Sequence, residues 1–418
     1  MRDKDQGPSQ APPAIIIGLD SLNGLQTARL LAARGVPVIG IAKDRRHPFA
    51  RTRVCREVWQ ADTAGEGFVQ KLVAEGPRLG GPAVLVPCQD MGVLFCSRHR
   101  ERLAPWYRMV LPAPEVVELL MDKLAFQEWA IREGLAIPPT RILKTRLDAQ
   151  AAARELSFPC ILKPTLKTAL WETQAASGVY RVETAEQLLP LYDRCSQWTP
   201  VLVVQEWIEG SDAELFSCNC YFDRNGVPTA TFVARKIRQW PPGAGTSSLG
   251  EEIRNDEVLR ETLRLFAAAD YRGLGYVEVK RDARTGRHYV IEPNVGRPTG
   301  RSALAEACGV ELHMSAYCDA LGLPLPEGNR QTYRGTKWIY LRRDFRTAFH
   351  YWRTGELTLR DWVRSWRGPK TWAVYSLSDP VPFLADWLLA LRLALFGEER
   401  KRPAERAQQI GATASAEH

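Results

Sequence analysis

The sequence predicts an open parallel α/β sheet, then an α+β region, then an aromatic and mostly helical extension. Three observations carry that prediction. The run Ala14-Ile-Ile-Ile-Gly-Leu19, a helical pattern at Leu25, Ala28, Leu31 and Ala32, and the run Val36-Pro-Val-Ile-Gly-Ile41 compose a βαβ unit. Two period-two segments, Gly275-Tyr-Val-Glu-Val-Lys280 and His288-Tyr-Val-Ile-Glu-Pro-Asn294, flank a turn signal at residues 282–286 and read as an antiparallel hairpin. After Pro326 six tryptophans fall between Trp338 and Trp387, and this change of character marks a third, smaller unit.

Residues 1–13 are polar, contain proline and lack the apolar stretch of a secretory signal, so a disordered tail is expected. The first strand leads through Asp20-Ser-Leu-Asn-Gly24 into a helix that Gly35 closes, and Ala83-Val-Leu-Val-Pro87 continues the alternation, giving an α/β domain over 14–113. The first turn holds only Gly18 and Gly24; without the GxGxxG spacing, backbone cannot approach a pyrophosphate, which argues against a dinucleotide site. Asp90, just past a strand end, could face a ligand crevice, but a helix N-cap is the first reading. A helical pattern through Leu119, Leu120, Leu124 and Trp129 ends at Ala136-Ile-Pro-Pro139. Strands and helices then alternate, so 114–326 forms the α+β region and 327–418 the extension, with an amphipathic segment at 380–397.

At 418 residues, 45% hydrophobic and 25% charged, the chain has the composition of a globular protein of two or three domains. A formal charge of +8 favours anionic partners, but no basic block is interleaved with regularly spaced aromatics, and nucleic acid is not expected among them. Nine cysteines, an odd number without CxxC or zinc-type His spacing, suit a reduced setting, and a cytoplasmic location follows as the expectation. Cys218 and Cys220 share a strand face and read as packing.

The hairpin sets Glu278 opposite Glu292 and puts Glu278, Lys280, Glu292 and Asn294 on one face, with Val277, Val279 and Ile291 on a core face. Facing carboxylates repel unless something positive lies between them, and oxygen ligands on rigid strands suit Mg²⁺, which completes its shell with phosphate and water. A solvated face with unrelated acids is the other reading. Phe158-Pro-Cys-Ile-Leu-Lys-Pro164 ends a short strand in Lys163, and a polar loop carrying Lys167 and Trp171 follows; together they could cover phosphates or form ordinary surface. Val201-Leu-Val-Val-Gln-Glu-Trp-Ile-Glu-Gly210 is a strand whose end, from Glu206 to Ile208, could read a base edge, while Glu214 could accept from sugar hydroxyls.

With Met121-Asp-Lys123, these pieces resemble, in order and separation, the ATP-grasp superfamily of carboxylate–amine ligases, over a span from about Ile15 to Leu323. The resemblance implies a pre-ATP-grasp α/β domain followed by two lobes that clasp ATP. It implies that Lys123 and Lys163 contact phosphates, that Gln205, Glu206 and Ile208 line adenine, that Glu214 binds ribose, and that Glu278, Glu292 and Asn294 hold Mg²⁺, with Mn²⁺ as a substitute. The implied reaction activates a small carboxylate as an acyl phosphate and couples it to an amine; the alternative is a non-catalytic ATP-binding module in a membrane-associated assembly. Arg297 and Arg301 follow the metal strand and are candidates to clamp phosphate or substrate carboxylate, and Arg235, Lys236 or Arg238 to touch phosphate beneath a Gly/Pro-rich loop, residues 239–248.

Three positions depart from the family. The loop after Lys163 is poor in glycine, Val295-Gly296-Arg297 replaces a Pro-Arg pair, and Tyr276 stands where some relatives carry an arginine, which Arg297 or the Arg235 group would have to replace. In the extension, the apolar segment from Pro380 to Phe396 is too short to span a bilayer, so it either packs on the body or a homodimer contact, or lies with residues up to Arg402 in the interface on the inner face of the membrane.

Overall fold

A computed structural model describes residues 11–165, 169–175, 179–242 and 245–396. Three sheets organise it. The first holds β1 (Ala14–Ile17), β2 (Val38–Ala42), β3 (Cys55–Gln60), β4 (Ala83–Pro87) and β5 (Tyr107–Arg108), all parallel, in the order β3-β2-β1-β4-β5. The strand order therefore reverses between β1 and β4, and the crevice outside their carboxyl ends is where open α/β sheets place ligands. Ser21 caps the helix Leu22–Ala33 by accepting from the Gly24 N–H at 3.0 Å. Glycine is required at 24, because a Cβ there would stand 2.2 Å from the Gly18 carbonyl oxygen.

The second sheet holds β6 (Thr140–Leu143), β7 (Cys160–Pro164), β8 (Tyr180–Val182) and β9 (Leu202–Glu206) in the order β6-β9-β7-β8, all antiparallel. The loop expected after Lys163 includes a short helix, Ala169–Gln174, and the reason is apolar: Trp171 is buried edge-on against Tyr180 and Trp198 in this lobe's core. Lys167 lies outside the described residues, as do the tail 1–10, Gly243 and Ala244 of the Gly/Pro-rich loop, and everything after Phe396.

The third sheet holds β10 (Leu215–Phe222), β11 (Pro228–Trp240), β12 (Thr246–Glu252), β13 (Gly273–Arg281), β14 (His288–Val295), β15 (Lys337–Ile339) and β16 (Lys370–Trp372). Its order is β14-β13-β10-β11-β12-β15-β16. Cys218 and Cys220 are buried in its core with Val277 and Val279. The region after Pro326 is mostly helical as expected, but β15 and β16 complete this sheet, so the aromatic extension is continuous with the lobe instead of standing apart. A short amphipathic run, Lys337-Trp-Ile339, buries Trp338 and finds in β12 an edge strand to pair with.

Candidate active site

Glu278 and Glu292 are direct partners across the β13–β14 hairpin. The turn forms because Asp282 accepts from the Arg284 and Thr285 N–H groups and Gly286 takes φ 74°. A bulge after Glu278 shifts the alternation, so Val279 pairs with Val290; the core face is Val277, Val279 and Val290, and Ile291, expected there, is the extra residue of the bulge. The positive charge that facing carboxylates require is present. Lys236 Nζ lies 3.4 Å from Glu278 Oε2, and the buried Arg301, donating to Ser217 Oγ at 2.7 Å and to Ser247, adds its field.

These surroundings split the pair. Burial works to raise the Glu278 carboxyl, but Lys236, Arg301 and Arg297 outweigh it and hold the group below its ordinary range. Glu292 is pushed up by burial and by Glu278, with Lys123 and Arg297 opposing. Glu292 nevertheless reaches solvent, so it stands in an open cleft crowded by protein. Two hard carboxylates with room for water and phosphate fit Mg²⁺. Among the described residues no group of three or more His, Cys, Asp or Glu is placed to hold a metal, so the shell would need Asn294, water or phosphate. Asn294 does not offer a free oxygen: its Oδ1 accepts from Arg297 Nη2 at 2.5 Å, and its buried Nδ2 has no partner. A ligand role for it requires sharing that oxygen.

From the other lobe, Lys163 on β7 enters the same cleft. Its ammonium donates to Gln205 Oε1 at 3.2 Å, and burial, then the neighbouring Lys123, lower its pKa to about 8 against the pull of Glu292. Lys123 opens the helix Lys123–Arg132, which Asp122 caps. Lysines from two separate stretches thus feel the carboxylate that β14 supplies.

Other expected contacts are redirected. Gln205 is buried, giving its oxygen to Lys163 and donating from Nε2 to Thr140 Oγ1 at 2.8 Å, so both polar atoms of its side chain are engaged within the lobe and it orients the lysine. The Glu206 carboxylate accepts from the Ser157 N–H at 2.7 Å, and its own N–H goes to Pro139 O. Ile208 is buried on the segment that joins β9 to β10. Both Glu214 oxygens are taken by Arg281, at 2.7 and 3.1 Å, so a ribose contact requires displacing or sharing that arginine.

Arg238, expected near phosphate, is instead structural. Its guanidinium makes two 2.9 Å bonds to Asp344 and one of 3.0 Å to Ser365, and Asp344 also accepts from the Trp362 and Trp366 indoles and from Ser248. Arg238→Ala leaves that buried carboxylate without its cation and is expected to destabilise the fold by about 3–5 kcal/mol in urea unfolding. Arg235 pairs with Glu251.

Arg297 is the arginine that reaches back over the β13–β14 hairpin. It donates to Tyr276 OH at 2.8 Å, stands over the Tyr276 ring at 5.4 Å, binds Asn294 Oδ1, and pairs with Asp90. Asp90 is not the expected cap: Gln89 occupies that position, and Asp90 opens the helix Asp90–Arg98. Asn23 donates to Pro298 O at 3.0 Å and Gln26 to Gly300 O at 2.6 Å, so residues 297–301 sit against the crevice of the first sheet.

A polar chain unseen in the sequence runs from the extension to the carboxylates. Tyr351 OH donates to Asp212 at 2.5 Å, Asp212 accepts from Gln239 Nε2 at 2.6 Å, and Gln239 Oε1 accepts from Lys236 at 3.3 Å beside Glu278. Lys236, Glu278 and the loop that starts at Gln239 were marked by the sequence, and Asp212 lies in an acidic Glu-Gly-Ser-Asp segment, but Tyr351 lies more than a hundred residues away and carried no signal.

No family model matches the chain. The D-aspartate ligase of Enterococcus faecium (strain Aus0004) is 22% identical over 232 residues, 53% of this chain and 54% of that protein. The D-alanine–D-alanine ligase of Stutzerimonas stutzeri (strain A1501) is 30% identical over 190 residues, 42% of this chain and 55% of the ligase. The chain spans about half the length, or less, of the curated relatives it matches. Among solved structures, the N5-carboxyaminoimidazole synthetase of Staphylococcus aureus superposes with a TM-score of 0.59 at 17% identity, covering 77% of this chain and 80% of that one. The biotin carboxylase domain of the Hydrogenobacter thermophilus 2-oxoglutarate carboxylase, solved with MgADP and bicarbonate, gives 0.58 at 16% identity over 76% and 71%.

Proposed function

We propose that this chain, which has the ATP-grasp fold of the carboxylate–amine ligases, uses ATP to convert a small carboxylate to an acyl phosphate and joins it to an amine. The observation that carries the reading is that Lys163, from the second sheet, and Lys123, from a helix packed on the core of the third, both come within electrostatic reach of the Glu278–Glu292 pair. In this reading residues 14–113 form the pre-ATP-grasp domain, 114–326 the two lobes and 327–418 the extension.

The substrate oxygen bonds to the γ-phosphorus as the bond to the ADP oxygen breaks; the amine nitrogen then bonds to the carbonyl carbon, phosphate leaves, and the amine proton passes to water. Lys163 and Lys123 hold phosphate oxygens, and Gln205 keeps Lys163 aimed at them. Mg²⁺ held by Glu278 and Glu292 would neutralise charge on the transferred group. Lys236 and Arg301 keep Glu278 ionised for that duty. The one-residue displacement of Arg297 does not take its charge away from this strand, because its side chain folds back over Tyr276 and Asn294. That geometry favours catalysis over the non-catalytic module.

The test is ADP and phosphate release from Mg·ATP across D- and L-amino acids and small carboxylates, beginning with D-aspartate and D-alanine, which the relatives' names put first. Equal, substrate-stimulated release of both products is the expected result. ATP binding without turnover across the panel would favour the non-catalytic module.

A further inference from the structure

The helix Val381–Phe396 is held to the body most firmly along its first half. Pro382, Ala385 and Asp386 are buried, and Asp386 accepts from Arg342 at 2.8 Å and from Tyr340 OH at 3.1 Å. At 100° per residue Leu389 and Leu393 return to that same side, yet they are 39% and 43% exposed. Leu388, Leu391 and Leu395, grouped on the opposite side, are 64%, 55% and 76% exposed. The second half is therefore only partly covered by the body and presents an outward stripe of Leu388, Leu391 and Leu395.

An outward leucine stripe suits a second copy and a lipid surface alike, and the aromatics and arginines beside it decide between them. The helix has 16 residues, and no helix among the described residues is long and apolar enough to cross a membrane. The neighbouring helix Leu341–Arg353 widens the surface. Phe345 packs on Trp387 at 6.1 Å, and Phe349 and Trp352 lie beside it, 57% and 59% exposed. Arg346, Arg353 and Arg392 are exposed on the same two helices, and Arg353 stacks over Phe349 at 5.9 Å. Exposed aromatics and leucines with arginines that can snorkel match the boundary between acyl chains and anionic headgroups.

We propose that the second half of this helix, with the outer face of Leu341–Arg353, inserts into the interfacial layer of an anionic bilayer. The proposal goes beyond the ligase reading and does not depend on it. Its test is co-sedimentation of the full chain with vesicles of phosphatidylcholine, alone and mixed with phosphatidylglycerol, beside the double variant Leu391→Asp/Leu395→Asp. Both positions are exposed, so the substitutions leave the core intact, which circular dichroism checks. Expected are pelleting with the mixed vesicles, partial release by salt, and about tenfold or more weaker partition for the variant. Wild-type protein that stays in the supernatant with both vesicles overturns the proposal, as does equal pelleting of wild type and variant. A lipid-free dimer that the double variant converts to monomer, without vesicle binding, assigns the leucines to a second copy instead.

Discussion

Glu292→Gln is expected to cut ATP turnover by on the order of 10²–10³-fold or more while slightly stabilising the nucleotide-free chain at neutral pH. Both effects have one cause. Glu292 faces Glu278 directly across the hairpin, and burial and that like charge hold its carboxyl above the ordinary value of 4.5. An acid whose folded pKa is raised binds its proton more tightly folded than unfolded. Stability is therefore fullest below the unfolded value and falls as pH rises through the window up to the folded one. Glutamine keeps the shape and removes the charge, so the variant escapes that loss. The gain is a few tenths to about 1 kcal/mol, because Glu292 reaches solvent, and a Tm rise of about 1–2 °C follows. Thermal scans at neutral pH and below about pH 4 check it: the difference between variant and wild type should vanish at the acid end. A variant with normal turnover would remove Glu292 from the metal site. One less stable than wild type at neutral pH would show that the facing carboxylates are not in conflict.

Much of this conflict was legible in the sequence, because a hairpin turn and period-two alternation locate facing residues without tertiary information. The parity of β14 was not, since a bulge leaves no local composition signal; Ile291 and Val290 are equally good core residues. The first sheet was readable for a similar reason: Ile15, Ile16, Ile17 and Val38 to Ile41 are apolar without interruption, as strands covered on both faces must be. The joining of β15 and β16 to the third sheet was hidden, because which strand edge a three-residue run completes depends on long-range packing. In the site, residue type and spacing marked the charged groups but not their partners. Arg238 and Lys236 stand two residues apart on β11, yet a buried Asp344 claims one while Glu278 engages the other. A single sequence gives no reason to separate them.

The partners also connect the extension to the chemistry. Tyr351 and Asp344 lie on one helix: the first reaches Lys236 through Asp212 and Gln239, and the second holds Arg238. That helix carries Phe345, Phe349 and Trp352 on its outer side. One element thus has the proposed membrane surface on its outside and the groups that position Lys236 on its inside, so the extension is a structural support of the cleft as well as an appendage.

Lys163 carries the second large effect. Lys163→Ala is expected to lower kcat/KM for ATP by about 10²–10³-fold, because a buried cation opposite phosphate is lost. The conservative change tells more. Burial and Lys123 bring the Lys163 ammonium down to about 8, so in the free protein it is a cation below that pH and neutral above it. Only the cation holds phosphate. kcat/KM for ATP, which reports the free enzyme, should therefore fall above about pH 8, while kcat, which reports the loaded enzyme, should hold to higher pH, because bound phosphate favours the protonated lysine. Stability moves the other way. A base depressed in the folded state leaves the unfolded chain binding more protons between about 8 and its ordinary 10.5, so this group's contribution to stability rises with pH across the interval in which ATP affinity is lost. Lys163→Arg stays charged throughout and should abolish the alkaline fall in kcat/KM, even if the longer fork lowers the plateau severalfold. A wild-type profile flat well past pH 9, or an arginine variant that keeps the fall, would mean that some group other than Lys163 meets the nucleotide. Opposite signs of ATP affinity and stability in one pH window separate a lysine held uncharged for want of its ligand from one that merely stabilises the strand end.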